Sequence, residues 1–232
     1  MCGRTTHLYT WREIYDHLAR FLDALDPAMA DLDGPAPAYN VPPKAHVPVL
    51  RRLNETVAAS TMQWWLVPHW SRSPDSTYPT FNARSETAHQ KPAFRGPFRD
   101  RRCVLPVSGF YEWAKLPGGG KQPYYITRAD GAPLLFAGLW DAWGDPTIGP
   151  PLESCTVLTT NANEQMLAVH DRMPCVLEPE QIEGWLSSQR THDDDIKSDL
   201  RPAANGVLQM HEVDARVGNV RNTGPELIRR LA

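Results

Sequence analysis

The sequence predicts an α+β fold, a single domain over residues 1–232 with a curved, mostly antiparallel β-sheet or barrel-like core and a few flanking helices. Two observations carry that expectation. Several short runs rich in Val, Ile, Thr and aromatic residues alternate with turn residues, whereas few segments have helical spacing. A chain of 232 residues with 41% hydrophobic content is also long enough to bury a substantial core.

Taken in order, residues 10–25 predict a helix. Thr10 followed by Glu13 is a capping-box signature, and Ile14, Leu18, Phe21, Leu22 and Leu25 follow at helical spacing. Residues 27–48 are dense in Pro, Gly and Asp and predict a long irregular connection. Strands are expected at residues 57–67, 103–107, 124–127, 134–139 and 155–160, with Gly118, Gly119 and Gly120 marking one turn. A second helix is expected to start at Pro179, a favoured first-turn residue, and to turn Ile182, Trp185 and Leu186 inward. Residues 225–231 suit a short helical turn, and the acidic run 193–195 a solvated loop.

Composition bounds the function. The formal net charge is -3, from 24 Lys+Arg against 27 Asp+Glu, so a nucleic-acid site has to be a local groove and not the whole surface. The start M-C-G-R-T-T-H has no apolar leader, and no run approaches the roughly 18 apolar residues of a membrane span. A soluble, cytoplasmic protein is expected, nucleoid-associated in a bacterium, with no membrane partner. Cys2, Cys103, Cys155 and Cys175 are far apart and form no C-x-x-C pair, so neither a metal nor a cofactor is expected, and no disulfide framework. Cys103, Cys155 and Cys175 read as small buried hydrophobes. Cys2 is the exception.

Once the initiator Met is removed, which is favoured before a small residue, Cys2 carries a free amine beside its thiol. An α-amine with a pKa near 7.7 to 8.0 is roughly a tenth to a fifth neutral at pH 7, and a thiol near 8.5 is partly ionised as well. Facing an aldehyde, the amine forms an imine, and the sulfur closes on the imine carbon to give a five-membered thiazolidine, helped by the high effective molarity of an intramolecular step. A Cys at position 2 is not specific by itself. Three polar runs accompany it. F-N-A-R-S-E-T (81–87) offers an amide, a guanidinium and a carboxylate. S-G-F-Y-E-W (108–113) sets Glu112 between aromatics, either in a low-dielectric wall that raises its pKa or at an exposed strand end; spacing leaves both open. A-V-H-D-R-M-P (168–174) places His170 beside Asp171 and Arg172, as a proton shuttle or as a structural histidine.

In combination these segments resemble the SOS-response-associated peptidase (SRAP) family of abasic-site processing proteins. The resemblance covers nearly the whole chain: M-C-G-R at 1–4, Y-N-V-P-P at 39–43, M-Q-W-W-L-V-P-H-W at 62–70, N-A-R-S-E-T at 82–87, C-V-L-P-V-S-G-F-Y-E-W at 103–113, H-D-R-M-P at 170–174 and V-G-N-V at 217–220. It implies that a monomer handles single-stranded DNA containing abasic sites, with Cys2 as covalent nucleophile, Asn82 positioning the N-terminus and the DNA, and Glu112 and His170 moving protons. It further implies that Arg4, Asn40, Arg84 and Arg172 face the DNA backbone, that Trp70 and Trp113 wedge or stack against unpaired bases, and that AP lyase and self-processing peptidase activities accompany the crosslink. Trp65 stands where the family commonly has Gly, which would reshape one wall of the groove.

Two other classes compete. Glutamine amidotransferases of the N-terminal-nucleophile type also begin Met-Cys-Gly, but they carry an Asn-Gly oxyanion loop in the first half, and the Asn-Gly here is Asn205-Gly206. A non-catalytic reader of damaged DNA would leave Cys2 incidental and use the cluster Arg95, Arg99, Arg101 and Arg102 as its backbone contact.

Overall fold

Alternating β-rich runs build two sheets, and the computed structural model describes residues 2–34, 36–75, 78–190 and 192–231 of them and their connections. In chain order, β1 (Thr5–His7) leads to α1 (Trp11–Leu18), then β2 (Ala38–Val41), β3 (His46–Leu53) and β4 (Thr56–Trp64). After a loop come β5 (Asn82–Arg84), α2 (Ser85–Ala88) and α3 (Arg95–Asp100). Four long strands follow, β6 (Arg102–Val107), β7 (Gly109–Lys115), β8 (Lys121–Arg128) and β9 (Leu134–Trp143), and then β10 (Leu152–Asn161). The last part carries α4 (Glu164–Leu167), β11 (Arg172–Pro174), β12 (Val176–Leu177), α5 (Ile182–Leu186), α6 (Asp193–Lys197) and β13 (Leu208–Glu212).

One sheet runs β13-β8-β7-β1-β2 and is antiparallel throughout. The other closes on itself: β4, β3, β6 and β9 pair antiparallel in turn, β9 pairs β10, and β10 returns to β4 in a parallel pairing, so no free edge remains in that ring. β10 also takes β5 in parallel and β11 antiparallel at its far end. The α+β class with a barrel-like, mostly antiparallel core is therefore observed. Among the described residues no helix is long and apolar enough to cross a membrane, and no group of three or more His, Cys, Asp or Glu could hold a metal ion.

Several boundaries differ from the sequence expectation for identifiable reasons. The Thr10 cap forms, with its side chain accepting the Glu13 N–H and the Glu13 carboxylate accepting the Thr10 N–H at 2.7 Å. α1 nevertheless stops at Leu18, not Leu25, because residues 24–26 run alongside β4: Val57 N–H donates to Ala24 and Asp26 N–H to Val57, at 2.7 and 2.9 Å. Leu22 and Leu25 are still buried, so their apolar character serves an extended segment. The expected irregular stretch 27–48 contains a 3-10 turn (Pro27–Asp31), β2 and the start of β3, whose Pro48 is accommodated opposite Thr61. The acidic run 193–195 forms the first turn of α6, where carboxylates favour the N-terminal end of the helix dipole. Pro179 opens a 3-10 turn before α5, and Pro225–Ile228 is another.

Period-two alternation along β7 decides what reaches the space between the sheets. Phe110 joins the apolar cluster that contains Cys2, whereas Tyr111 joins a separate cluster with Val213 and Val217, so Glu112 falls on the Phe110 face. Gly109 is required at the start of that strand, since a Cβ there would lie 2.6 Å from the Tyr125 ring. Tyr125 in turn hydrogen-bonds Thr6 on β1 at 2.8 Å.

Candidate active site

Cys2 enters the molecule where the two sheets meet. β1 pairs with β7 through Thr5 opposite Phe110, and Tyr111 N–H donates to the Arg4 carbonyl at 2.9 Å, which holds residues 2–4 against the strand that carries Glu112. From the other sheet, Asn82 on β5 donates its side-chain Nδ2–H to the Cys2 carbonyl at 2.6 Å. Trp64 fixes this neighbourhood by donating its Nε1–H to the Phe81 carbonyl at 2.8 Å. Cys2, Asn82 and Glu112 are thus brought together from the N-terminal segment and two strands, up to 110 residues apart.

The thiol is not the partly ionised group expected from a free N-terminal cysteine. Cys2 is buried among Val, Met and Phe side chains, and burial, reinforced by the nearby Glu112 carboxylate, pushes its thiol far above the ordinary cysteine range. Glu112 is itself buried, so it occupies the low-dielectric wall and not an exposed strand end. Its Oε1 accepts the Trp113 N–H at 3.3 Å.

His170 lies in the turn between α4 and β11. Its Nδ1 accepts the Arg172 N–H at 3.0 Å, a contact that leaves the ring proton on Nε2, and Asp171 lies 2.9 Å from the same Nδ1. Arg172 is buried and holds Glu86 in a two-pronged ion pair at 2.6 and 2.9 Å, while also donating to Asn161 and Thr159. Glu86, the acidic residue of N-A-R-S-E-T, thereby links α2 to β11.

The residues expected to face DNA separate into two kinds. Asn40 is buried and donates its amide to the carbonyls of Val217, Asn219 and Asn222 at 3.2, 3.1 and 2.8 Å, while its Oδ1 accepts from Arg4 at 2.8 Å. Arg4 also donates to the Val217 carbonyl and packs over the half-buried Trp113, 5.9 Å from the ring centroid. Arg4 and Asn40 thus anchor the V-G-N-V segment, and Trp113 packs against the apolar cluster that contains Val217. By contrast Trp70 is 57% exposed, and with Asn82 and the exposed Arg84 it lines a groove of about 740 Å³ whose other walls include Pro68, Lys91 and Phe94. Asn82 belongs to both the groove and the Cys2 contact. Trp65 packs on Phe81, the neighbour of Asn82, with centroids 5.6 Å apart and Lys44 5.1 Å from its ring.

Sequence reasoning missed Lys91 at the groove rim and His69, the neighbour of Trp70 in V-P-H-W, for which the adjoining tryptophan was the available signal. It also could not sort the arginine cluster. Arg102 is buried, with its guanidinium donating to the carbonyls of Phe98, Arg99, Trp185, Ser187 and Arg190 within 2.5–3.2 Å, a structural role that removes it from any DNA contact.

The family model described as SOS response associated peptidase (SRAP) matches residues 1–220. Among similar proteins, the abasic site processing protein YoaM of Bacillus subtilis is 33% identical over 228 residues, 98% of this chain and 97% of that protein. YoqW of the same organism, which carries the same description, is 35% identical over 83% of this chain and 85% of its own length. The abasic site processing protein HMCES of Gallus gallus is 33% identical over 83% of this chain and 66% of its own length. A crystal structure of a protein from Bacteroides thetaiotaomicron superposes with a TM-score of 0.81 at 26% identity, covering 100% of both chains.

Proposed function

This chain belongs to the SOS response associated peptidase (SRAP) family, and we propose that it processes abasic sites in DNA by joining Cys2 covalently to the ring-opened sugar of a single strand. The observation that carries the reading is the Asn82 amide holding the Cys2 carbonyl at 2.6 Å, which fixes the second residue beside a buried carboxylate and at the edge of a groove.

With Met1 removed, the Cys2 amine attacks the C1 aldehyde; a carbinolamine forms and loses water to give the imine. The Cys2 sulfur then adds to the imine carbon, its proton passes to nitrogen, and the thiazolidine closes with no oxidant or cofactor. Burial of the sulfur among apolar side chains suits this order, because the amine has to act first and sulfur is drawn in once the iminium offers a cationic carbon. Glu112, whose charge acts on Cys2, relays protons during carbinolamine dehydration and ring closure, and His170 assists opening of the closed sugar. Arg84 and Lys91 at the groove rim offer phosphate contacts and Trp70 a stacking face for an unpaired base. Removal of Met1, by an aminopeptidase or by the chain itself, belongs to this reading and is checked by intact mass.

The test separates amine from thiol. Wild type freed of Met1 should give a denaturation-resistant adduct with an abasic single strand and none with an undamaged one. Cys2→Ala, also freed of Met1, should give an adduct that borohydride fixes by reducing the imine, few durable adducts without reductant, and some strand cleavage by β-elimination. A durable, reductant-independent adduct from Cys2→Ala at wild-type yield would sink the thiazolidine; no adduct from wild type would sink the reading as a whole.

A further inference from the structure

The fold divides the four arginines that the sequence offers as one cationic face. Arg102 is spent on backbone carbonyls, and Arg101 lies against Asp100 and Asp141 at 3.1 and 3.2 Å. Arg95 and Arg99 remain exposed and line a second groove, of about 660 Å³, together with His69, His89 and Gln90. No acidic side chain is among its lining residues. The acid within ion-pair distance of either arginine among the described residues is Asp193, 3.7 Å from Arg99, whose side chain stays 61% exposed. Trp70 and Pro92 line both grooves, so the second continues directly from the first.

His69 supplies an independent observation. Its backbone N–H and its ring Nδ1 both meet the same carboxylate oxygen of Asp141, each at 3.0 Å. Asp141 is buried, and its other oxygen faces Arg101. The imidazole is therefore a ring with one edge anchored and the opposite edge, Nε2, left toward solvent at the mouth shared with Trp70. With Nδ1 turned to Asp141, Nε2 is the ring atom presented to a ligand. The other charged or titratable groups facing it are Arg101 behind Asp141, and Arg95, Arg99 and His89 along the groove.

We propose that this second groove binds the phosphodiester backbone of the DNA strand beyond the abasic nucleotide, with Arg95 and Arg99 as phosphate ligands and His69, oriented by Asp141, at the junction of the two grooves. The inference rests on the DNA reading above. A strand that delivers its sugar to Cys2 carries a phosphate at every nucleotide, and a continuous cationic channel with no carboxylate among its lining residues is where its extension is stabilised. The guanidinium fork suits the phosphate oxygens.

The experiment uses single strands carrying a tetrahydrofuran abasic analogue, which binds but has no aldehyde, lengthened one nucleotide at a time on either side. For wild type, affinity should climb with extension on one side until the groove is filled. The dependence of log K on log salt for the long strand should be steeper than for the short one by about 0.7 per phosphate engaged, or about 1.4 for two arginines. In Arg95→Ala/Arg99→Ala the long-strand slope should fall to the short-strand value, and His69→Phe should weaken long-strand binding several-fold. Both arginines are exposed, so the double variant should keep the wild-type unfolding transition. Identical slopes in wild type and double variant, or no gain with extension on either side, overturn the proposal. The crosslinking assay with a true abasic strand reads the Cys2 chemistry separately: a crosslink with identical slopes rejects the groove alone, whereas a slope difference without a crosslink rejects the chemistry and keeps the groove.

Discussion

Acid should unfold this protein through His7, and the size of the effect follows from its surroundings. His7 ends β1, the strand that carries the N-terminal segment into the site; it is 5% exposed and its Nε2 lies 3.1 Å from Thr5 Oγ1. Burial pushes the ring down to about 4, with the Pro106 backbone opposing weakly. In the unfolded chain the same ring titrates near 6.5. Between those values the unfolded state holds a proton that the folded state refuses, so folding stability is complete above about 6.5 and is lost as pH falls toward 4. The gap of about 2.5 units corresponds to about 3 kcal/mol, at 1.36 kcal/mol per unit. His7→Gln removes the titration while keeping a polar group for Thr5. Urea unfolding of both proteins at pH 7.5, 5.5 and 4.5 gives two curves whose difference cancels the carboxylates common to both. That difference should shift by about 2.5 kcal/mol in favour of the variant between the highest and lowest pH, most of the full gap, since pH 4.5 still lies above the folded-state value. Parallel pH profiles would refute the reasoning, because they would mean that the ring is protonated in place or is not buried.

Other substitutions probe different contacts. Asn82→Ala removes the 2.6 Å bond to the Cys2 carbonyl and should slow abasic-strand crosslinking about tenfold, with little change in the unfolding midpoint; a rate within about twofold of wild type would mean that Asn82 does not position the terminus. Glu112→Gln deletes the charge that helps hold the Cys2 thiol up, so alkylation of Cys2 should quicken while crosslinking slows about a hundredfold, and a crosslinking rate that does not fall would remove Glu112 from proton transfer. Arg102→Met leaves several buried carbonyls without donors and should cost at least about 3 kcal/mol in denaturant unfolding, with Arg102→Lys recovering part of it; a loss below about 1 kcal/mol would mean that water replaces the guanidinium.

Local chemistry explains which parts of the fold were legible. The runs that became β6, β8, β9 and β10 are rich in β-branched and aromatic residues and read as strands without help, as did the Thr10–Glu13 cap, where both hydrogen bonds lie within one turn. β2 and β3 were hidden in a Pro-rich stretch because they owe their conformation to partners, β1 on one side and β4 on the other. Closure of the barrel rests on a parallel β4–β10 pairing between residues about ninety positions apart, which leaves no periodic mark in either segment. At the site, the residue types were readable but their commitments were not. Arg95 and Arg102 look alike in sequence, and only the carbonyls from residues 185–190 folding over Arg102 distinguish them. Cys2 was recognisable as a nucleophile, yet the burial that keeps its thiol protonated comes from Met62, Met173 and other side chains on distant strands.

Asn40 and Arg4 reach across 182 and 213 positions to the carbonyls of Asn222 and Val217, so the surroundings of Cys2 are closed by residues synthesised long after it. Joining such remote segments is entropically costly and comes late in folding. A chain still emerging from the ribosome therefore carries Cys2 without the contacts that surround it in the finished fold. For the crosslinking proposed above, timing of synthesis would keep the terminus idle until the protein that must direct it has been assembled.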